Sequence, residues 1–446
     1  MRSMLCLSLL GVSFAACAHQ SAGAEAPPVA LAATVPTPLP APEAPQRTPE
    51  ALASLLAEYD QLSSAGADAP TLANAREAID RMAAQRDASV SRLFWYTSLE
   101  EAEAAAQKSG RPILSLRLLG RLDEELSCAN SRLFRLVLYA NTHVSSFLRD
   151  NYVLYWSSER PVPRMTVDFG DGRVLRRTLT GNSVHYVLDA KGRIIDALPG
   201  LYGPAAFERG LRQSLDLARQ SGELSDEDSA KAVAKYHTRA VWALTAAWRK
   251  QLDRVYGESY ASYVSTATLP HADGVSWPDP LYSSIPAVAV NTLTESKADI
   301  EAPALTLLQP EVHVYRDSGD WSKIADKAPT EHLDAQSIAL IREKHPRDWG
   351  SEGAKELDPT QLEKRLSAFE HRLTEEELRN EYSFHGAVHG RLTRVSRVGL
   401  ESANEFIYTH LFMTPRKDAW LGLTSTTALT GIDDDGLVAS GAVEAR

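Results

Sequence analysis

Three kinds of apolar spacing follow one another along the chain. The first is a short run: after Arg2 come Leu5, Leu7, Leu9, Leu10, Val12 and Phe14, then small Ala15 and Ala16 ahead of Cys17. A run of this length reads as the apolar part of a secretory signal over 1–16 and is too short to span a bilayer as a helix. The second spacing has a period of three to four. Leu52, Leu55, Leu56 and Tyr59, then Leu72, Ala75, Ala78, Ile79, Met82 and Ala83, predict a helical hairpin within 50–92.

The third is an alternation of helical and extended stretches. Ser98 with Glu101 three residues on, closed by Gly110, marks a capped helix. Residues 111–116 then read as a buried strand, 127–140 as a helix around Leu133, Phe134, Leu136 and Val137, and 151–156 as a second strand. Residues 183–189 and 193–197 form a hairpin that turns through Ala190-Lys191-Gly192, and a helix over 204–219 closes the unit. This order predicts an α/β sandwich over 93–220. Residues 158–180, rich in Arg (Arg160, Arg164, Arg173, Arg176, Arg177) with turn signals at Gly170 and Gly172, overhang the sheet edge and read as a solvated hairpin, with a decorated rim for an acidic partner as the functional alternative. From Ser225, an N-cap ahead of Asp226, Glu227 and Asp228, the helical period returns over 230–256, 332–344, 359–369, 374–395 and 401–412. A Pro-rich crossing over 270–310 interrupts it. The expectation is an α/β domain followed by a mainly α-helical domain over 225–430 and a tail over 431–446, with an acidic turn at 431–436.

Composition narrows the class. With 446 residues, 44% hydrophobic and 24% charged, the chain is not a wholly disordered polymer, a fibrous repeat or a polytopic membrane protein. Lys+Arg at 47 against Asp+Glu at 58 gives a net charge of −11, which argues against nucleic acid as a partner held by a general basic surface. Pro at 27, 28, 36, 38, 40, 42, 45 and 49, among Ala, Thr and Glu, makes 17–49 an extended, semi-stiff tether.

Two stretches carry resemblances. Phe14-Ala15-Ala16-Cys17 resembles a bacterial lipobox, which implies cleavage before Cys17 and a diacylglycerol on its thiol. By that resemblance the protein meets the membrane through its lipidated N-terminus, and the lack of Asp after Cys17 implies an outer-membrane address facing the periplasm. An ordinary signal-peptidase cut near Ala16 or Ala18 is the alternative, and either cut places the protein outside the cytoplasm. Gln107-Lys108-Ser109-Gly110-Arg111-Pro112-Ile113, together with the hairpin from Gly181 to Arg193, resembles exported proteins of the thioredoxin-fold superfamily. The likeness covers about 93–220. It implies a thioredoxin-like α/β domain in which Cys128-Ala129-Asn130-Ser131 stands for the redox Cys-x-x-Cys, with Ser131 in place of the second Cys, and Ser183 falls where the family has a cis-Pro.

On that reading Cys6 leaves with the signal, Cys17 is lipidated, and Cys128 is the single free thiol. A Ser hydroxyl cannot resolve a mixed disulfide, so Cys128 with Ser131 cannot run a dithiol cycle. A helix start and the nearby Arg132 and Arg135 favour its thiolate, whereas Asp123, Glu124 and Glu125 oppose it. Cys128 therefore stands either as a reactive thiol or as a buried structural residue.

A second constellation lies in the C-terminal half. Glu381, His385 and His389 recur at i, i+4 and i+8 and share one helix face, where two His and a carboxylate can hold a metal. Gly386 stands where the zinc-protease His-Glu-x-x-His motif has its Glu, so that chemistry is excluded, and packing is the plainer reading of the face. Gly386 and Gly390 flank it and permit close approach of another backbone. His371 and His410 are further ligands only if the fold gathers them. Three functional readings follow: an envelope-anchored thioredoxin-like lipoprotein with a thiol-disulfide or redox-derived role, a non-catalytic binding or assembly lipoprotein that meets an envelope protein partner on the same scaffold, and a divalent-metal- or haem-linked role at His385 and His389.

Overall fold

The computed structural model describes residues 46–178, 182–257, 318–344, 347–350, 353–356, 358–393, 398–412 and 417. The signal run, Cys17, nearly all of the tether, Gly181, the 270–310 crossing and the acidic turn lie outside the described residues. Two helices open the described residues, α1 (Pro49–Ser64) and α2 (Ala69–Ala83). Thr48 and Asp68 cap them, each with Pro in the first turn, where a missing N–H costs nothing. Leu52, Leu56, Ile79, Met82 and Ala83 close a small core between them, as the helical period predicts.

After a short helix α3 (Ala88–Ser91), the elements are β1 (Trp95–Tyr96), α4 (Leu99–Ser109), β2 (Ile113–Leu119), α5 (Ala129–Val137), α6 (Thr142–Asn151) and β3 (Val153–Arg160). There follow β4 (Arg164–Asp168), β5 (Val174–Thr178), β6 (Val184–Leu188), β7 (Ile194–Pro199) and α7 (Pro204–Ser221). Five strands make one mixed sheet in the order β1-β3-β2-β6-β7. The first three run parallel, β6 pairs antiparallel with β2, and β7 pairs antiparallel with β6. Every residue of β2, β6 and β7 is buried, the expected state of strands covered on both faces. Ser98 caps α4 through the Glu101 N–H, and Gly110 ends it in the left-handed conformation at φ +68°.

The sequence expectations need correction in three places. The helix expected over 127–140 is the shorter α5, and a further helix not expected there, α6, follows it because Asn141 accepts from the His143 and Val144 N–H groups. Over 158–178 the solvated hairpin is present as β4 with β5, registered from Arg164↔Thr178 to Asp168↔Val174. Strand β1 was not anticipated, since two residues carry no period. The helices expected at 359–369 and 374–395 are continuous in their first part: α11 (Pro359–Arg379) runs into a π-helical turn at Asn380–His385 and then α12 (Gly386–Leu392). No Gly or Pro separates 370 from 373, so nothing there stops the helix.

The C-terminal part is mainly helical. It comprises α8 (Asp226–Tyr256), α9 (Ser318–Ala325), α10 (Ala335–Lys344), α11, α12, α13 (Leu400–Phe406) and a second π turn, Ile407–Leu411, plus a small hairpin of Arg347–Gly350 with Gly353–Glu356. Ser225 caps α8 by accepting from the Asp228 N–H. Arg193, on the β6–β7 turn, pairs with Asp189 and Asp226 and donates to the Ser221 carbonyl, so one guanidinium ties the sheet to both α7 and α8. The architecture is an α/β region on a mixed five-stranded sheet followed by this helical part. From Arg47 on they form one compact unit, with a continuous core from Trp95 and Leu116 to Val388, Tyr408 and Phe412. No described helix is long and apolar enough to cross a membrane.

Candidate functional sites

Strand β2 delivers the chain to Cys128, which is the N-cap of α5 with extended backbone. Its sulfur lies 3.4 Å from Ser131 Oγ and 3.3 Å from Ser183 Oγ, while the Ser131 hydroxyl donates to the Cys128 carbonyl at 2.9 Å. The residues matched to the redox motif and to the position ahead of the hairpin strand are thus in contact. Cys128, Ser131 and Ser183 are each 0% exposed. The covering comes from the helical part: Tyr408 donates to the carbonyl of Asn182, next to Ser183, and Tyr186 donates to Asn404 Oδ1. The charges weighed from sequence are engaged elsewhere. Asp123 pairs with Arg121, Glu124 with Arg164, and Glu125 with Arg86 and Lys344. Arg135 is buried beside Asp87, and Arg132 donates to Thr178.

The second site forms where β7 meets α8 and the π turn. Asp196 on β7, His237 on α8, His385 at the end of the π turn and His389 on α12 are between 0% and 3% exposed. His385 bridges two carboxylates, Nε2 to Asp196 Oδ1 at 3.1 Å and Nδ1 to Glu381 Oε2 at 3.2 Å. The His389 ring stacks on His385 with centroids 4.0 Å apart, and its Nδ1 meets His237 Nδ1 at 2.8 Å. His237 Nε2 faces the Ile195 carbonyl at 2.9 Å, so that nitrogen carries the proton and Nδ1 presents its lone pair. Tyr236 donates to Asp196 Oδ2 at 2.7 Å, and the Ala197 N–H donates to Oδ1.

Burial by itself lowers a histidine, but at His385 the Asp196 and Glu381 charges outweigh it and push the ring up to about 10, where it is an imidazolium donating from both nitrogens. Burial raises a carboxyl, yet the same pairing holds Asp196 below the usual carboxylate range. His389, desolvated and stacked on a cation, is pushed well below its ordinary value, and burial lowers His237 too.

The i, i+4, i+8 face therefore exists, with its members in different roles. Glu381 holds the outer nitrogen of His385, and the carboxylate placed against the two His is Asp196. One ring nitrogen of each His and a carboxylate oxygen of Asp196 all lie within 4.8 Å of one another, a group able to hold a metal ion. His371 contacts Ser322 and Asp326, and His410 stacks on Phe406; neither belongs to this group. At Gly386 a Cβ would lie 3.2 Å from Leu244 Cδ2, so what approaches it is a side-chain methyl of α8 and not a backbone. Asp196 and His237 escaped the sequence reading, although both carry a signal. Asp196 is a lone acid in an apolar strand, and His237 falls on the stripe of Val233, Val241, Leu244 and Trp248. Comparison of the chain with family models, with curated proteins and with solved structures finds no match.

Proposed function

We propose that this chain is an exported, lipid-anchored, thioredoxin-like protein of the bacterial envelope that acts as a binding or assembly scaffold, with Cys128 withdrawn from turnover. The thioredoxin-like reading is supported by the mixed sheet β1-β3-β2-β6-β7, with α4 ahead of β2, α5 and α6 between β2 and β3, and α7 after the β6–β7 hairpin. It is further supported by a Cys at the start of the helix that follows β2, and by Ser183 beside it at the entry to the hairpin. The lipid anchor rests on the lipobox-like Phe14-Ala15-Ala16-Cys17.

One observation favours a scaffold over an oxidoreductase: the Cys128 sulfur is fully buried, bracketed by two hydroxyls and roofed by the C-terminal helices. Attack on a disulfide needs an accessible thiolate and in-line approach of a second sulfur. Among the described residues Cys128 is the only cysteine, so no resolving thiol is present there. The test is labelling of the folded protein, cut at Cys17, with a maleimide that reports one thiol per chain after denaturation. Cys128 should stay unmodified for hours in the native state and react at once in guanidinium chloride. Native labelling within minutes, or a mixed disulfide trapped at Cys128, would overturn the scaffold reading and restore the thiol-chemistry one.

A further inference from the structure

We propose that Asp196, His385 and His389 form a buried binding site for one divalent first-row transition metal, and that the ion clasps β7 to the C-terminal helices. Two imidazole nitrogens and a carboxylate oxygen are a donor set suited to zinc and its neighbours, whereas calcium and magnesium take all-oxygen cages and iron–sulfur clusters take thiolates. The spacing fits. Donors held about 2.1 Å from a tetrahedral ion stand roughly 3.4 Å apart. His385 Nε2 lies 3.1 Å and His389 Nδ1 3.9 Å from the same Asp196 oxygen.

The outer partners point the same way. Metal-bound histidines have their second nitrogen held by a carboxylate, a carbonyl or another fixed acceptor, and metal-bound carboxylates have their second oxygen hydrogen-bonded. Here Glu381 holds His385 Nδ1 and Tyr236 holds Asp196 Oδ2, while His389 Nδ1, the nitrogen that faces Asp196, would exchange its contact with His237 Nδ1 for the ion. The ion would then join an element of the sheet to residues 189 and 193 positions further along the chain, a cross-link that stabilises the assembled molecule.

The experiment uses the whole processed chain without a polyhistidine tag, unfolded in chelator and refolded with or without cobalt(II) or zinc. Expected results are one metal per chain, the intense visible absorption of low-coordinate cobalt(II), and a higher melting temperature for the loaded protein. His385→Ala should abolish the cobalt spectrum, and a surface control, His332→Ala, should leave it intact. Should His385→Ala fail to fold, Glu381→Gln serves in its place, because Glu381 is partly exposed and lies outside the donor set; it should weaken binding about 10- to 100-fold. A folded wild-type chain that takes up neither ion would overturn the site, as would uptake that neither variant alters.

Discussion

At the scale of a residue, the chemistry of the second site depends on a glycine that carries none of it. Gly200, just after β7, adopts φ +89°, and a Cβ there would lie 2.7–2.8 Å from the amide of Asn380. That amide donates to the Leu201 carbonyl and to Glu376, and so fixes the start of the π turn that carries Glu381 and His385. Gly200→Ala adds left-handed strain to a steric clash, and we expect a loss of about 2–3 kcal/mol in urea unfolding. Gly66→Ala supplies the comparison. Gly66 has φ +73° with nothing within 4 Å, so its cost should be confined to about 1 kcal/mol of backbone strain. Equal losses for the two variants would show that Asn380 moves aside freely. Neither requirement can be read from sequence, because the partner of Gly200 is 180 residues away.

At the scale of an element, helix α7 shows how two parts of the chain share one titration. Its N-cap, Gly203, offers no side-chain acceptor, and Glu331 supplies one from afar, taking the Ala205 and Ala206 N–H groups at 2.9 and 3.0 Å. Glu377 on α11 lies against Glu331, and its carboxyl is pushed up to about 9, first by burial and then by the charge and hydrogen bond of that neighbour. A carboxyl raised in the folded state binds a proton that the unfolded chain releases. Stability from Glu377 is therefore intact below its ordinary value near 4.5 and is lost as pH climbs to about 9. Glu377→Gln should remove this slope, so the gap between the urea midpoints of variant and wild type should widen in favour of the variant from pH 5 to pH 9. A gap that stays constant with pH would refute the assignment. The elements themselves were largely legible in the sequence. Ser98 and Ser225 announced their helices, and the alternation over 93–220 announced α4, β2, α5, β3, the β6–β7 hairpin and α7, but not β1 or α6. Helix α6 was missed, because Val144, Phe147 and Leu148 give it only about one turn of apolar period beyond the helix expected over 127–140. The β4–β5 hairpin was legible from the turn signals at Gly170 and Gly172, although its strands are mostly exposed and lack an apolar face. Within the candidate site, local spacing displayed the Glu381, His385 and His389 face, but Asp196 joins it through tertiary packing that no periodicity encodes.

At the scale of the whole molecule, the covering of Cys128 is part of the main core. Cys128 belongs to the same continuous cluster as Leu116 and Val184 of the sheet and Ile407, Tyr408 and Phe412 of the C-terminal helices. Arg117 on β2 reinforces the seam, pairing with Glu159 beside it and with Glu401 on α13 at 2.8 Å. A roof held by a few surface contacts would open locally at low cost, and the thiol would then label with little sensitivity to denaturant. A roof that shares its apolar contacts with the central sheet cannot lift without exposing that sheet to water, which ties its opening to global unfolding. We therefore expect the rate of Cys128 labelling, measured in sub-denaturing guanidinium chloride with fast reclosing, to rise with a slope matching the equilibrium m-value from far-UV circular dichroism. The free energy of opening obtained from the rate should likewise equal the global unfolding free energy. A shallow slope with a smaller opening energy would mean that the helices over Cys128 detach as a separate unit, and the thiol would then be gated by a local motion.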